Sequence, residues 1–294
     1  MNTPTRLFAL AAIALANPAC AAETQESYAE GAVVAENSYP EAAWRTVEAD
    51  NLMLIDTAYG TIGVELFPEI APLHVAQVKA LARDGFYDDV VFHRVIEGFM
   101  NQTGDGSNGN GTGDSELPNI PAEFTFRRGE DMDAIMVSAR GDAERQIATG
   151  FYKSLPIASQ PIAQAMLTAD GKVGAFGLHC AGVTSMARTS DPNSANSQFF
   201  LMRDRADHLD AQYSIWGSTV LGRDYLTRFR IGTVGQDDGF VPDQMNTVRI
   251  AADLPEDERP TVQVLDPTSD AFSTWIADQT YDDICDVEIP TRTL

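Results

Sequence analysis

The chain has 294 residues, 44% of them hydrophobic, enough to bury a full core in one main domain. Forty-three acidic against twenty basic side chains leave a formal net charge of -23. The hydrophobic content excludes a disordered protein, and the acidity argues against nucleic-acid binding, because phosphate contacts need a basic surface. At the N-terminus Arg6 precedes an apolar run from Leu7 to Ala16 and small residues through Ala22. This run is too short to cross a bilayer and reads as a cleavable secretory signal over residues 1–22, cut after Ala21 or Ala22. A bacterial periplasm is the expected destination. Lipid attachment through Cys20 is the alternative, disfavoured by Asn17, which stands where an aliphatic residue is usual. No later segment approaches the roughly 18 consecutive apolar residues of a membrane span, so the mature chain is expected to have no stable membrane insertion. A monomer is the default expectation, which no residue pattern in the sequence decides.

Residues 23–50 are acidic and aperiodic, a leader with a short helix near 41–44. Alternation over 51–66 around Tyr59 and Gly60 predicts a β-hairpin. After Pro72 the residues Val75, Val78, Leu81 and Ala82 recur at helical spacing until Gly85. Strand-like runs follow at 90–96 and 99–103. Within 128–182, Ser159 is placed to cap a short helix entered through Pro161, and Asp170-Gly171 marks a tight turn before a strand at 172–176. Further strands are expected at 183–187, 199–202 and 214–220, then a second helix at 223–229 and a closing strand at 247–252. Many short strands with Gly and Pro turns favour a closed, mainly β architecture. Residues 270–294 read as an acidic extension. Besides Cys20 the cysteines are Cys180 and Cys285, which an oxidising compartment allows to be bridged; two buried thiols fit the sequence about equally.

Two segments carry the chemistry. FHRVIEGFMNQTGDG at 92–106 sets one arginine among large apolar side chains and an amide, and SMARTSDPNSANSQFFLM at 185–202 repeats the mixture of amide and aromatic groups. Together they resemble the cyclophilin family of peptidyl-prolyl cis-trans isomerases, whose signatures run FHR…GFM.Q.GD and SMA…SQFF. The hairpin, the helix after Pro72, the GNGTG loop at 109–113 and HLDAQYSIWG at 208–217 also fall in family order.

The resemblance implies a mainly β fold over residues 51–269, an eight-stranded antiparallel closed barrel capped by two α-helices. It implies rotation about X-Pro bonds in proline-containing segments of unfolded or folding proteins, with no cofactor. Arg94 and Gln102 match the catalytic positions, and Phe99, Met100, Phe200 and Leu209 match an apolar pocket for the proline ring. Gln198 and Tyr213 join the substrate-binding set, and Ala187 and Arg188 match positions that offer backbone groups to an extended peptide. His93 is read as a polar neighbour, since no proton transfer is required. Thr103, Glu97 and His208 depart from the usual glycine, proline and tryptophan, and Tyr213 from a frequent histidine. Weak cyclosporin binding is implied, and Thr103 is expected to narrow the groove. Residues 128–182 are longer than the family segment. They read either as a surface elaboration or as a flap, the latter giving the alternative of a peptide-binding chaperone module with little isomerase activity.

The chemistry suits these residue types. Twisting an X-Pro amide breaks its resonance against a barrier of about 20 kcal/mol, so exchange takes roughly tens of seconds unaided. No bond is made or cut, and a catalyst must hold the twisted form better than either planar one. The twisted nitrogen regains lone-pair character, and a guanidinium offers it a permanently charged donor in a fixed plane. The Gly-rich run 104–116 lacks both the P-loop ending and the EF-hand spacing, His179-Cys180 alone is poor evidence for zinc, and no Gly-x-Ser-x-Gly elbow supports a hydrolase.

Overall fold

The computed structural model describes residues 39–137 and 147–294 together with Met1. The expected signal segment, its cleavage sites and Cys20 lie outside the described residues. After a 3-10 turn over Glu41–Ala43 the chain enters β1 (Trp44–Thr46) and then the hairpin of β2 (Leu52–Thr57) and β3 (Gly60–Leu66). The reversal needs glycine at position 60: its φ is 125°, and a Cβ there would sit 2.6 Å from the Tyr225 ring.

Helix α1 (Pro72–Arg83) starts with proline in its first turn, where the missing N–H costs nothing. Its cap comes from a distance: the Glu123 carboxylate accepts from the backbone of Leu73 and His74, each at 3.1 Å, and bonds the His74 ring at 2.7 Å. One face, Val75, Val78, Leu81 and Ala82, packs into the same core as Met53, Ile55, Phe199 and Trp216. Gly85, with φ 69°, follows the helix in the left-handed region that ends many helices.

Strands β4 (Arg94–Ile96) and β5 (Met100–Thr103) form a short hairpin. A separate five-stranded sheet follows, built from β6 (Phe126–Arg128), β7 (Ala134–Val137), β8 (Ala148–Tyr152), β9 (Leu155–Ser159) and β10 (Val173–Gly177) in the order β6-β10-β9-β8-β7. The chain returns through β11 (Val183–Met186), β12 (Phe199–Met202), β13 (Ile215–Leu221), β14 (Gly232–Thr233) and β15 (Met245–Ile250). These complete a nine-stranded antiparallel sheet, β14-β4-β5-β12-β11-β13-β3-β2-β15. Finally β16 (Val262–Leu265), helix α2 (Asp270–Ala277) and β17 (Thr291–Thr293) close a three-stranded sheet with β1.

The architecture is mainly β with few helices, and the expected eight-stranded closed barrel is instead a curled sheet of nine strands. Its two ends approach at an isolated bridge between Val91 and Gln244, flanked by Phe92 N–H to Asp243 O at 2.8 Å and Met245 N–H to Val90 O at 2.9 Å. The expected second capping helix is only a 3-10 turn over Arg223–Thr227. Ser159 caps nothing. It lies buried in β9, where its Oγ accepts from Arg128 Nε at 2.8 Å, and the 3-10 helix Ile162–Leu167 starts at Pro161 without a side-chain cap. Residues 270–294 are built into the fold through α2, β17 and a disulfide between Cys180 and Cys285, whose Cα atoms are 5.0 Å apart.

Strand periodicity sorts the curled sheet into two faces. Phe199 and Leu201 of β12, with Val95 of β4, belong to the core under α1. Phe200 and Met202, with Met100 of β5, belong to a second core that includes Phe151, Leu155 and Ile157 of the five-stranded sheet and Phe272 of α2. The residues singled out for chemistry lie on this second face.

Candidate active site

Register places the key pair. In the β4–β5 hairpin Arg94 lies directly opposite Gln102, and in the β5–β12 pair Gln102 lies opposite Phe200, so three side chains share one row across the sheet. Arg94 donates from Nη1 to Gln102 Oε1 at 3.1 Å, Gln102 Nε2 donates to Gln198 Oε1 at 3.1 Å, and Gln198 Nε2 donates to the carbonyls of Gly113 at 2.8 Å and Gly111 at 3.2 Å. Both amide flips are fixed by this relay, which anchors a half-buried guanidinium to the glycine-rich loop.

That loop is held by Asp105. Its buried carboxylate accepts from the backbone N–H groups of Asn108 (2.8 Å), Asn110 (3.1 Å), Gly111 (2.8 Å) and Gly113 (3.0 Å). Burial pushes this carboxyl up, but the four donors together more than offset it and bring its pKa from the ordinary 3.8 to about 2. A folded-state pKa below the unfolded value means stability that is fully present above pH 3.8 and lost as the pH falls toward 2. Asp105→Asn is therefore expected to cost about 2 kcal/mol at neutral pH, with the difference from wild type shrinking across that acid window in urea titrations. A difference that stays constant down to pH 2 would contradict this.

His93 sits beneath the same loop, 2% exposed, with neither ring nitrogen hydrogen-bonded among the described residues. Burial pushes its pKa below the ordinary value; Asp105 opposes this and Arg94 adds to it. A neutral, buried imidazole is no base for the cleft. Thr103 does not narrow the groove as expected: it is fully buried and donates to Val91 O at 2.9 Å.

Around Arg94 the structure gathers Phe99, Met100, Gln102, Ala187, Arg188, Phe200, Leu209 and Tyr213 into one cleft of about 120 Å³. Gln198 is joined to it through Gln102. Phe200 meets Tyr213 edge-on with centroids 5.8 Å apart, and exposed His208 lies 5.9 Å from Phe99. The Ala187 N–H already donates to Gln198 O at 2.9 Å, so an extended peptide can use only the carbonyl there. A larger cavity of about 310 Å³ lies elsewhere, lined by Arg45, Glu69, Arg127, Lys153 and Lys172. Its cations are already paired, with Glu65, Glu69, Asp131 and Asp170.

Sequence reasoning missed the floor of the cleft. His179 stacks beneath Phe200, with centroids 6.2 Å apart and planes at 22°, and meets the Tyr213 edge at 6.4 Å. Its Nδ1 lies 3.1 Å from Asp210 Oδ1, which Arg205 also holds through Nη1 at 3.0 Å, and its Nε2 lies 3.2 Å from Ser185 Oγ. Asp210, His179 and Ser185 thus form a row like a hydrolase triad, but His179 and Ser185 are fully buried and no substrate reaches them. The row is a polar strut under the pocket. His179 and Cys180 are both engaged, one here and one in the disulfide, and among the described residues no cluster of three metal-binding side chains occurs.

Comparison with known proteins fits this geometry. The family model described as cyclophilin type peptidyl-prolyl cis-trans isomerase/CLD matches residues 52–251. A probable peptidyl-prolyl cis-trans isomerase of Brucella suis is 32% identical over 217 residues, covering 70% of this chain and 85% of its own. The corresponding Brucella abortus protein is 31% identical with the same coverage. The crystal structure of cyclophilin AquaCyp293 from Hirschia baltica matches with a TM-score of 0.78 and 37% identity, covering 85% of this chain and 93% of that one. With both signature segments meeting at one cleft inside the matched region, the chain belongs to the cyclophilin-type peptidyl-prolyl cis-trans isomerase family.

Proposed function

We propose that this protein accelerates rotation about X-Pro bonds of exported, folding polypeptides, with the proline ring seated on Phe99, Met100, Phe200 and Leu209 and Arg94 donating to the imide nitrogen as the bond twists. The observation that carries the reading is the Arg94 guanidinium, without an ion-pair partner among the described residues and held by Gln102 at the edge of an apolar cleft. Shortening exchange from tens of seconds to milliseconds takes about 5.5 kcal/mol at 1.36 kcal/mol per tenfold. A charged hydrogen bond contributes roughly 1.5–3 kcal/mol. Desolvation and fixed orientation in the cleft supply the remainder.

Support for the finer points comes from particular residues. The Cys180–Cys285 disulfide fits an oxidising compartment such as the periplasm. The bridge of Val91 and Gln244 fits a sheet that works as a closed barrel. Addition of the protein is expected to speed the slow, proline-limited refolding phase of a client in proportion to its concentration; a slow phase independent of it would count against the folding role.

A second reading, client holding by the five-stranded sheet, is favoured by Met166 and Leu167, 89% and 87% exposed on its 3-10 helix. The double substitution Met166→Ser, Leu167→Ser separates the two. Isomerase action leaves client refolding rates unchanged, whereas holding loses its suppression of client aggregation.

A further inference from the structure

Arg94 and Arg188 are the two cations that line the cleft, and among the described residues neither has a carboxylate within 4.0 Å. Other arginines of this chain, among them Arg205, Arg230, Arg249 and Arg292, are ion-paired. Arg188 is nonetheless held firmly. Its guanidinium lies 4.3 Å from the centre of the Tyr213 ring and 5.5 Å from that of Phe124. It donates from Nη1 to Thr189 O at 2.8 Å and from Nη2 to Gln212 O at 3.0 Å. Carbonyl dipoles and ring faces fix where the cation sits but leave its net charge intact. A charge that is already ordered loses little freedom when a partner arrives. Tyr213 is itself a wall of the cleft and touches Phe200, and Arg188 lines the same cleft, so this charge stands beside the place proposed for the proline.

Resting on the isomerase reading, we propose that Arg188 is a specificity-determining residue that favours X-Pro segments carrying a carboxylate next to the proline. Its guanidinium contributes the charge, Tyr213 and Phe124 the seat, and the role differs from a backbone contact that any residue at this position would make. The long-range field of a chain with net charge -23 works in the opposite sense, repelling acidic peptides. A preference for acidic segments therefore has to come from the cleft, where contact distances fall well inside a screening length of about 8 Å.

Exchange rates measured by NMR on peptides with Glu, Gln or Lys at either position flanking the proline test this. Wild type is expected to turn over the Glu peptide about fivefold faster than the Gln peptide at one of the two positions, with Lys slower than Gln, as for a partly exposed ion pair. Arg188→Gln should bring the Glu/Gln ratio to about one, and Arg188→Glu should invert the order. Each ratio is taken within one preparation, so a loss of folded protein does not mimic the result. Equal ratios in all three proteins, with the Gln peptide still turned over, would overturn the inference and leave the isomerase reading standing. No turnover of any peptide by wild type would remove both.

Discussion

Arg94→Ala is expected to lower kcat/KM toward an X-Pro peptide by at least about tenfold, and up to about a hundredfold, since a charged hydrogen bond present in the twisted state is worth roughly 1.5–3 kcal/mol. The loss should fall on kcat, because the donor serves the pyramidalising nitrogen and not the planar amide. The fold should hold. Arg94 is half-exposed and among the described residues its side chain bonds only the Gln102 amide, which keeps Gln198 as a second partner. A stability change beyond about 0.5 kcal/mol in urea is not expected at such a position. Arg94→Lys should recover little, because a flexible ammonium does not present donors in the plane that Gln102 orients. Undiminished turnover by Arg94→Ala would reject the role assigned to it.

The second large effect concerns stability. The Cys180–Cys285 bond closes a loop of 105 residues in sequence separation. A chain cross-linked over about 100 residues loses conformational entropy in its unfolded state equivalent to roughly 4.7 kcal/mol. Reduction, or Cys180→Ala with Cys285→Ala, is therefore expected to cost about 3–5 kcal/mol, read as a lower urea midpoint with an altered m-value. The bond also follows His179, the ring on which Phe200 stacks, so KM for a proline peptide should rise in the reduced protein. An unchanged midpoint on addition of reductant would contradict this.

Local patterns made much of this molecule legible. Helical spacing of Val75, Val78 and Leu81 gave α1, and alternation around Tyr59-Gly60 gave the β2–β3 hairpin. The FHR and SQFF segments pointed to Arg94, Gln102 and Phe200, which strand register then sets in one row. What escaped was carried by distance. His179 and Asp210 are 31 positions apart, and Arg188 and Phe124 belong to segments with no shared motif. Ser159 looked like a cap because Ser before Pro is a helix-entry signal, but the buried Arg128 guanidinium claimed its hydroxyl for the sheet. Thr103 looked like an obstruction because sequence alone does not tell which face of β5 it occupies; the pairing with Phe199 turns it inward. Asp105 did carry a signal, an aspartate followed by a run of glycine and asparagine, whose free N–H groups call for one acceptor.

The most direct measurement is exchange NMR on a proline peptide with catalytic amounts of the purified protein, run beside Arg94→Ala. The expected result is cis-trans exchange on the millisecond scale with the wild type and strongly reduced exchange with the variant, at unchanged peptide populations. Exchange no faster than that of the peptide alone, or equal acceleration by the two proteins, would contradict a mechanism built on the Arg94 guanidinium.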